Sequence, residues 1–390
     1  SAPIAVDMDG NGSVEVVFAT NQELTVLNGV EGSSLWSINF PNGLGMTIAE
    51  MNGDKFLDIV IADQGEPPRL HLLNGKDGSS LWDHILSGST YNIPAVADLD
   101  EDGTPEIILH SHHYDPSLEE LVVFSNEGEP LWRYVSAPSP EQAANAPDEL
   151  GWVPDFGYIS TAVADFDADG NLDIGWGTRC QYYVLDRRGN LIWKVSLVEG
   201  FGILRIHHAD GTVDLDTHGT GGPSGYAAGV GSLDDSPGVE IVLAFQPEYL
   251  ADWHEESGSM IYERVTPSNV LRAYDGKDGS LLWAFEGRTP SEDQIEMMHE
   301  PILADVTGDK LLDVLALSSD QNLYVLRGND GKPLLTYPLS SGKDESFWIS
   351  HHLTFVCDQE KGIALYITGT DSTSPPTAHV HALQIADGCR

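Results

Sequence analysis

The stretch Asp165–Asp173, DFDADGNLD, limits the fold more than any other part of the chain, because it recurs. It places side-chain oxygens at Asp165, Asp167, Asp169, Asn171 and Asp173, and Gly170 permits a tight turn. Alternating acidic positions in a turn gather carboxylates around one point, which suits a hard cation such as calcium. One copy alone reads equally well as an acidic, solvated turn. The frame returns in DMDGNGSVE (Asp7, Asp9, Asn11, Glu15) and EMNGDKFLD (Glu50, Asn52, Asp54, Asp58). It returns again in DLDEDGTPE (Asp98, Asp100, Asp102, Glu106) and DVTGDKLLD (Asp305, Thr307, Asp309, Asp313). Five copies with shared ligand spacing and a following apolar strand predict a repeated loop for about five structural Ca²⁺. The loop is shorter than an EF-hand loop and joins strands rather than helices. A further stretch, SLDDSPGVE (Ser232–Glu240), keeps only Asp234 and Glu240 as strong ligands and is expected to bind weakly or not at all.

Each repeat has one plan. A short apolar strand enters the acidic loop, a second leaves it (VEVVFA, LDIVIA, PEIILH, LDIGWG, VEIVLA, LDVLAL), and two more follow around a glycine turn. Four short strands per unit at a period near fifty residues spell a propeller blade. The predicted fold is all-β, a single seven-bladed β-propeller filling 1–390, with calcium loops between inner strands. The blades fall at about 1–40, 41–86, 87–135, 156–196, 225–286, 297–339 and 346–390, with long loop insertions at 136–155, 199–226 and 246–268. The seventh lacks an acidic loop and stops before a tryptophan strand. Trp36, Trp82, Trp132, Trp193 and Trp283 occupy equivalent positions. Equal spacing in every blade favours packing between blades over sugar stacking.

The acidic loops resemble those of FG-GAP (VCBS-type) repeats, found in integrin alpha-chain propellers and many secreted bacterial proteins. Phe156-Gly157 ahead of STAVADFDADG is similar to the opening of that repeat, although the Gly-Ala-Pro portion is missing from most blades. AYDGKDGSLLW (Ala273–Trp283) resembles the tryptophan-docking motif of quinoprotein propellers, with Ala, Asp, Gly and Trp in place. Both resemblances imply a propeller and say little about function, because this architecture hosts adhesion, scaffolding and catalysis alike. A quinone is not expected, since relatives that bind one usually have eight blades.

A formal net charge of −42 and a pI near 4.3 argue against nucleic acid or an anionic membrane surface as partner. No apolar run is long enough to span a bilayer, so the part seen is not an integral membrane protein. Millimolar calcium outside cells suits short acidic loops better than the cytosol does, which predicts an extracellular protein, secreted or on the cell surface. Three cysteines are too few for a disulfide framework, although Cys357 and Cys389 share a repeat and could pair.

Propeller connections alternate between two faces. The acidic loops and glycine turns share one, so the long insertions occupy the other, where function tends to sit. Histidines cluster there: His112, His113, His207, His208, His218, His254, His299, His351 and His352. With Glu300 nearby, they are candidates for a transition metal or a general base, or else ordinary polar loop residues. A second constellation joins Arg205, His207, His208, Tyr226, Tyr249, Trp253, His254, Tyr262 and Arg264. Arg to neutralise a carboxylate and His or Tyr to move protons are what β-elimination from a uronic-acid polysaccharide needs. Residues ordering two long loops would look the same. The leading expectation is an adhesion or recognition module for a glycan or an extracellular protein. The alternatives are a polysaccharide lyase or hydrolase, with Arg205, His207, His208, Tyr249 and His299 as catalytic candidates, and a structural subunit of a surface assembly.

Overall fold

The computed structural model describes residues 3–90, 92–114, 117–136, 159–178, 181–196, 204–208, 212–216, 228–245, 249–254, 259–264, 270–287, 301–318, 322–339, 348–358, 362–370 and 378–386. All regular structure among them is strand. Six sheets are four-stranded and antiparallel. The first holds Ile4–Val6, Glu15–Ala19, Glu23–Asn28 and Ser34–Asn39; the second Gly43–Ala49, Asp58–Asp63, Arg69–Leu73 and Ser80–Ile85. The third holds Ala95–Ala97, Glu106–Tyr114, Ser117–Phe124 and Pro130–Ser136; the fourth Ile159–Ala164, Asp173–Gly177, Gln181–Asp186 and Leu191–Ser196. The fifth holds Ala228–Gly231, Glu240–Phe245, Val270–Asp275 and Leu281–Glu286; the sixth Ile302–Ala304, Asp313–Leu317, Asn322–Leu326 and Pro333–Pro338. Each is a propeller-type blade, with strands in chain order across it. A three-stranded antiparallel sheet, Trp348–Asp358, Gly362–Thr370 and Ala378–Ala386, follows.

The second strands read as unbroken apolar runs because both faces of a blade are covered. In the third blade, Ile107 and Leu109 pack against the second blade, while Ile108 between them packs against the fourth. The same split places Ile241 and Leu243 against the fourth blade and Val242 and Ala244 against the sixth. A strand buried on both faces has no solvent side to encode, so polar alternation is lost. The fourth strands of the first two blades alternate half-buried with exposed positions, as edge strands do.

Tryptophans staple successive blades. The indole N–H of Trp36 donates to the Gly75 carbonyl at 3.0 Å, and Trp82 to Asn126 at 2.8 Å. Trp132 reaches Arg187 at 3.1 Å, Trp193 reaches Gly276 at 2.6 Å, and Trp283 reaches Gly328 at 2.6 Å. Each crosses from one blade's fourth strand to the next blade's last hairpin, so these rings pack between blades as expected. The sixth blade has Leu335 where the others have tryptophan, and Leu335 is 46% exposed. The stapling therefore ends there among the described residues.

The insertions depart from the loops expected of them. Parts of 199–226 and 246–268 form a further four-stranded sheet, in the order Val213–Asp216, Leu204–His207, Tyr249–His254, Ser259–Arg264. Its two central strands come from different insertions and run parallel. Each insertion forms a hairpin of its own, and sequence reasoning missed the sheet because its central pairing joins one hairpin to the other across the chain. Insertion 136–155 lies outside the described residues, apart from Ser136.

Candidate functional site

Numbering each acidic loop from 1 to 9, the backbone is left-handed at positions 4 and 6 in all five copies. These are Gly10 and Gly12, Gly53 and Lys55, Glu101 and Gly103, Ala168 and Gly170, Gly308 and Lys310. The turn curls the chain back so that the position 1 carboxylate meets the loop's own amides. Asp7 accepts from Asn11 and Gly12 at 3.1 and 2.7 Å, Asp98 from Asp102 and Gly103 at 3.0 and 2.9 Å, and Asp165 from Asp169 and Gly170, both at 3.0 Å. The fifth blade's Ser232–Glu240 cannot repeat this path. Pro237 holds position 6, its ring fixes a negative φ, and the left-handed residue becomes Gly238.

Position 9 is a buried acid whose carboxylate caps the amide of position 2. Glu15 accepts from Met8 at 2.9 Å, Glu106 from Leu99 at 2.8 Å, Asp173 from Phe166 at 3.1 Å and Asp313 from Val306 at 3.2 Å. The Asp58 contact with Met51 is longer, 3.4 Å. Glu240 caps Leu233 in the same way, so this clamp outlasts the metal pattern in the fifth blade. The position 2 side chains Met8, Met51, Leu99, Phe166 and Leu233 are buried in the seams between blades. Loop geometry is thereby tied to blade packing. Burial pushes Asp58 and Asp173 up to about 6, against the pull of backbone amides, with neighbouring acids adding to the rise. Burial also raises Glu106, Glu240 and Asp313.

Three loops bring three carboxylates together, with one oxygen from each within 4.8 Å of the others: Asp7, Asp9 and Glu15; Asp98, Asp100 and Glu106; Asp165, Asp167 and Asp173. All-oxygen donors from positions 1, 3 and 9 fit a hard divalent cation such as calcium, which would neutralise acids that otherwise repel. The loops at Glu50 and Asp305 form no such group. Their position 3 residues, Asn52 and Thr307, carry no charge, and Asp54 and Asp309 at position 5 accept from Phe56 and Leu311 at 2.9 and 3.0 Å. Position 5 is also turned onto the loop elsewhere: Asn11, Asp102 and Asp169 accept from the residue two ahead at 2.7, 2.8 and 2.8 Å. Asn171 donates its side-chain amide to Asp169 at 2.8 Å.

Lys55 and Lys310 hold a left-handed conformation that costs a residue with a Cβ roughly 1–2 kcal/mol. Glycine's larger unfolded-state entropy offsets part of that. Lys55→Gly and Lys310→Gly should each stabilise the protein by about 0.5–1 kcal/mol, read as a higher urea midpoint. A lowered midpoint would mean that these lysines make contacts worth more than the strain.

A second polar cluster, of which the sequence singled out only His112, closes the seam between the third and fourth blades at the opposite face. Glu119 is 1% exposed and joins His110 at 2.5 Å and His112 at 2.6 Å. Asn92 donates to His110 Nδ1 at 2.6 Å, and the His110 ring stands edge-on to Trp176, with centroids 5.0 Å apart. Both carboxylate oxygens have imidazole partners, as a charge in such a place requires. The available signal was His110-Ser111-His112, two histidines at strand spacing.

Of the catalytic candidates, Arg205 and His207 stand on one face of the inserted sheet and Tyr249 on the other, by register. His208 follows the strand, its amide bonded to the Thr212 carbonyl at 2.9 Å. Trp253, Tyr262 and Arg264 share the Tyr249 face, and His254 shares that of His207. His351 and His352 fall in the irregular stretch between Ile349 and Leu353. His218, Tyr226, His299, Glu300 and Cys389 lie outside the described residues, and with them the Cys357–Cys389 pairing.

Residues 50–109 match the model of the FG-GAP-like repeat. This segment resembles that repeat. It runs from the acidic loop of the second blade through that of the third, so the repeat contains two of the loops described above. No curated protein sequence matches the chain. Among solved structures the chain is similar to Sqt1 of Saccharomyces cerevisiae, at 8% identity and TM-score 0.54, covering 98% of this chain and 84% of that one. It is also similar to BamB from Moraxella catarrhalis (13% identity, TM-score 0.45, 94% and 95% covered). A third likeness is to the V. cholerae biofilm matrix protein Bap1 (14%, 0.39, 94% and 84%). Likeness at such identities concerns the fold. No helix is long and apolar enough to cross a membrane among the described residues.

Proposed function

We propose that the chain is an extracellular, calcium-stabilised propeller of seven blades whose loop-rich face recognises a glycan or a protein partner. The observation that carries the recognition reading is the inserted sheet. Antiparallel blades send the connections at 197–227 and 246–269 to the face opposite the acidic loops. Parts of them pair there into a sheet that no blade includes. Calcium would be held most tightly by the loops at Asp7, Asp98 and Asp165, and more weakly at Glu50 and Asp305, where fewer carboxylates converge. Its role would be to neutralise and fix the loops. A lyase is the less favoured reading, because register separates Tyr249 from Arg205 and His207. The high negative charge also disfavours a polyanionic substrate.

The test is binding of the calcium-loaded chain to a panel of neutral and acidic glycans and surface proteins, with Trp253→Ala and Arg264→Ala as variants. Recognition predicts a ligand whose affinity falls at least tenfold in a variant that melts like the parent. Release of unsaturated uronates, abolished by His207→Ala, would replace this reading with the lyase.

A further inference from the structure

The last hairpin of the fourth blade is built differently from those of the second and fifth. In those two, backbone bonds close the turn from Asn74 to Ser79 and from Asp275 to Ser280. Gly75 and Gly276 come next after the closing residue, and a Cβ there would lie 1.8 and 1.9 Å from the Leu57 and Val239 carbonyl oxygens. The fourth blade closes one residue sooner, from Asp186 to Asn190. Its corresponding positions are Arg187 and Arg188. The shorter turn thus admits a long cationic side chain where the longer one demands glycine.

Between this hairpin and the third blade lies a cleft of about 490 Å³, a volume within the range of ligand sites. Leu99 and Val123, both buried, line it together with the half-buried Trp132 and with Leu131, which is 55% exposed. Arg187, Arg188, Asp100 and Glu106 supply its charges. Arg69, Arg133 and Arg327 each pair with a carboxylate, but neither Arg187 nor Arg188 does among the described residues. Arg187 directs one N–H to the Leu99 carbonyl at 3.5 Å, and a guanidinium has five. With 61 Asp and Glu against 19 Lys and Arg, two adjoining arginines that pair with no carboxylate of the chain are placed to take one from outside.

The charges lining the cleft balance, two against two. Calcium at Asp98, Asp100 and Glu106 would tip them positive, so the inference rests on that part of the calcium reading, while its site lies on the face opposite the recognition surface. The apolar lining is mainly aliphatic. Trp132 packs on the core of the seam and meets Gly189, where a Cβ would lie 2.7 Å from the indole Cε3. An aliphatic side chain therefore suits the cleft better than a sugar ring seeking an open aromatic face.

We propose that this cleft binds the carboxyl-terminal residue of a peptide partner. Arg187 and Arg188 hold its carboxylate, and Leu99, Val123 and Leu131 receive an aliphatic side chain.

The test is calorimetric titration of the full, calcium-loaded chain with an acetylated peptide ending in Gly-Leu, beside the same peptide amidated at its end and methyl glucuronide. The free acid should bind at least tenfold more tightly than the amide, the usual scale for a hydrogen bond to a charged group. Arg188→Gln should weaken the acid at least tenfold without altering the melt. Leu131→Ser should weaken it about fivefold. Lys277→Gln, the matching position in the fifth blade, should leave it unchanged. Chelator and Asp100→Asn should both weaken it. Calcium uptake by the Asp98 loop, measured on the same samples, separates the two claims. Uptake without peptide binding, binding unmoved by Arg188→Gln, or preference for the glucuronide would overturn the proposal and leave the loop assignment standing. No calcium uptake would remove the loop reading, and with it the positive cleft that the proposal needs.

Discussion

Trp193→Ala is expected to destabilise the protein by about 3–5 kcal/mol, the range for emptying a buried aromatic site. The ring is 8% exposed and sits within the core shared by the fourth and fifth blades. Its N–H satisfies the Gly276 carbonyl at 2.6 Å, so truncation leaves both a cavity and a carbonyl without that donor. The ring also lies against Gly279. A Cβ there would come 2.6 Å from the indole Cε3, and φ is +72°. Glycine is required at that hairpin for space and for backbone conformation alike. Gly279→Val should therefore be damaging with Trp193 intact and less so in Trp193→Ala. Equilibrium unfolding in urea, followed by circular dichroism, measures both. A loss below 1 kcal/mol for Trp193→Ala would show that the staple is incidental to cohesion between the blades.

Removing calcium is expected to lower the melting temperature sharply at neutral pH, and less in mildly acidic solution. Each bound ion at a hundredfold excess over its Kd stabilises by about 2.7 kcal/mol, so three tight sites make a large combined difference. The pH dependence of the metal-free protein follows from Asp58 and Asp173, which burial holds at about 6 against an ordinary 3.8. Between those values the folded chain binds more protons than the unfolded one. The stability this contributes is fully present below 3.8 and lost as pH rises through about 6. Chelated protein should accordingly melt higher at pH 5 than at pH 7.5. With calcium present the order should reverse, because protons displace the ion. Melts in calcium and in chelator at both pH values check the sign. A calcium-independent melt at pH 7.5 would contradict the loop assignment.

Much of the fold was legible because it repeats. Acid, turn and apolar strand recur often enough that chance is a poor explanation, and the tryptophans keep the register between copies. Less visible was the division of labour inside the loop. Asp167 and Asp169 look alike in the sequence and each accepts a loop amide, yet only position 3 joins the carboxylate group. That difference comes from the left-handed turn at positions 4 and 6, which a pattern of acids does not encode. The apolar position 2 was equally easy to pass over, although Met8 and Phe166 seat their loops in the seams between blades. Long-range pairing was the hardest to read. LRIH and YLADWH each look like loop sequence until the other is placed beside it, and Glu119 acquires meaning only opposite His112.

The central claim is that the acidic loops hold calcium and that their carboxylate count ranks them. Calorimetric titration of the decalcified chain tests it most directly, alongside Asp9→Asn, Asp100→Asn, Asp167→Asn and Asp309→Asn. Three tight sites are predicted, with one lost in each of the first three variants and none in Asp309→Asn. A chain that takes up no calcium at millimolar concentration, or whose tight sites survive the first three substitutions, would contradict the account.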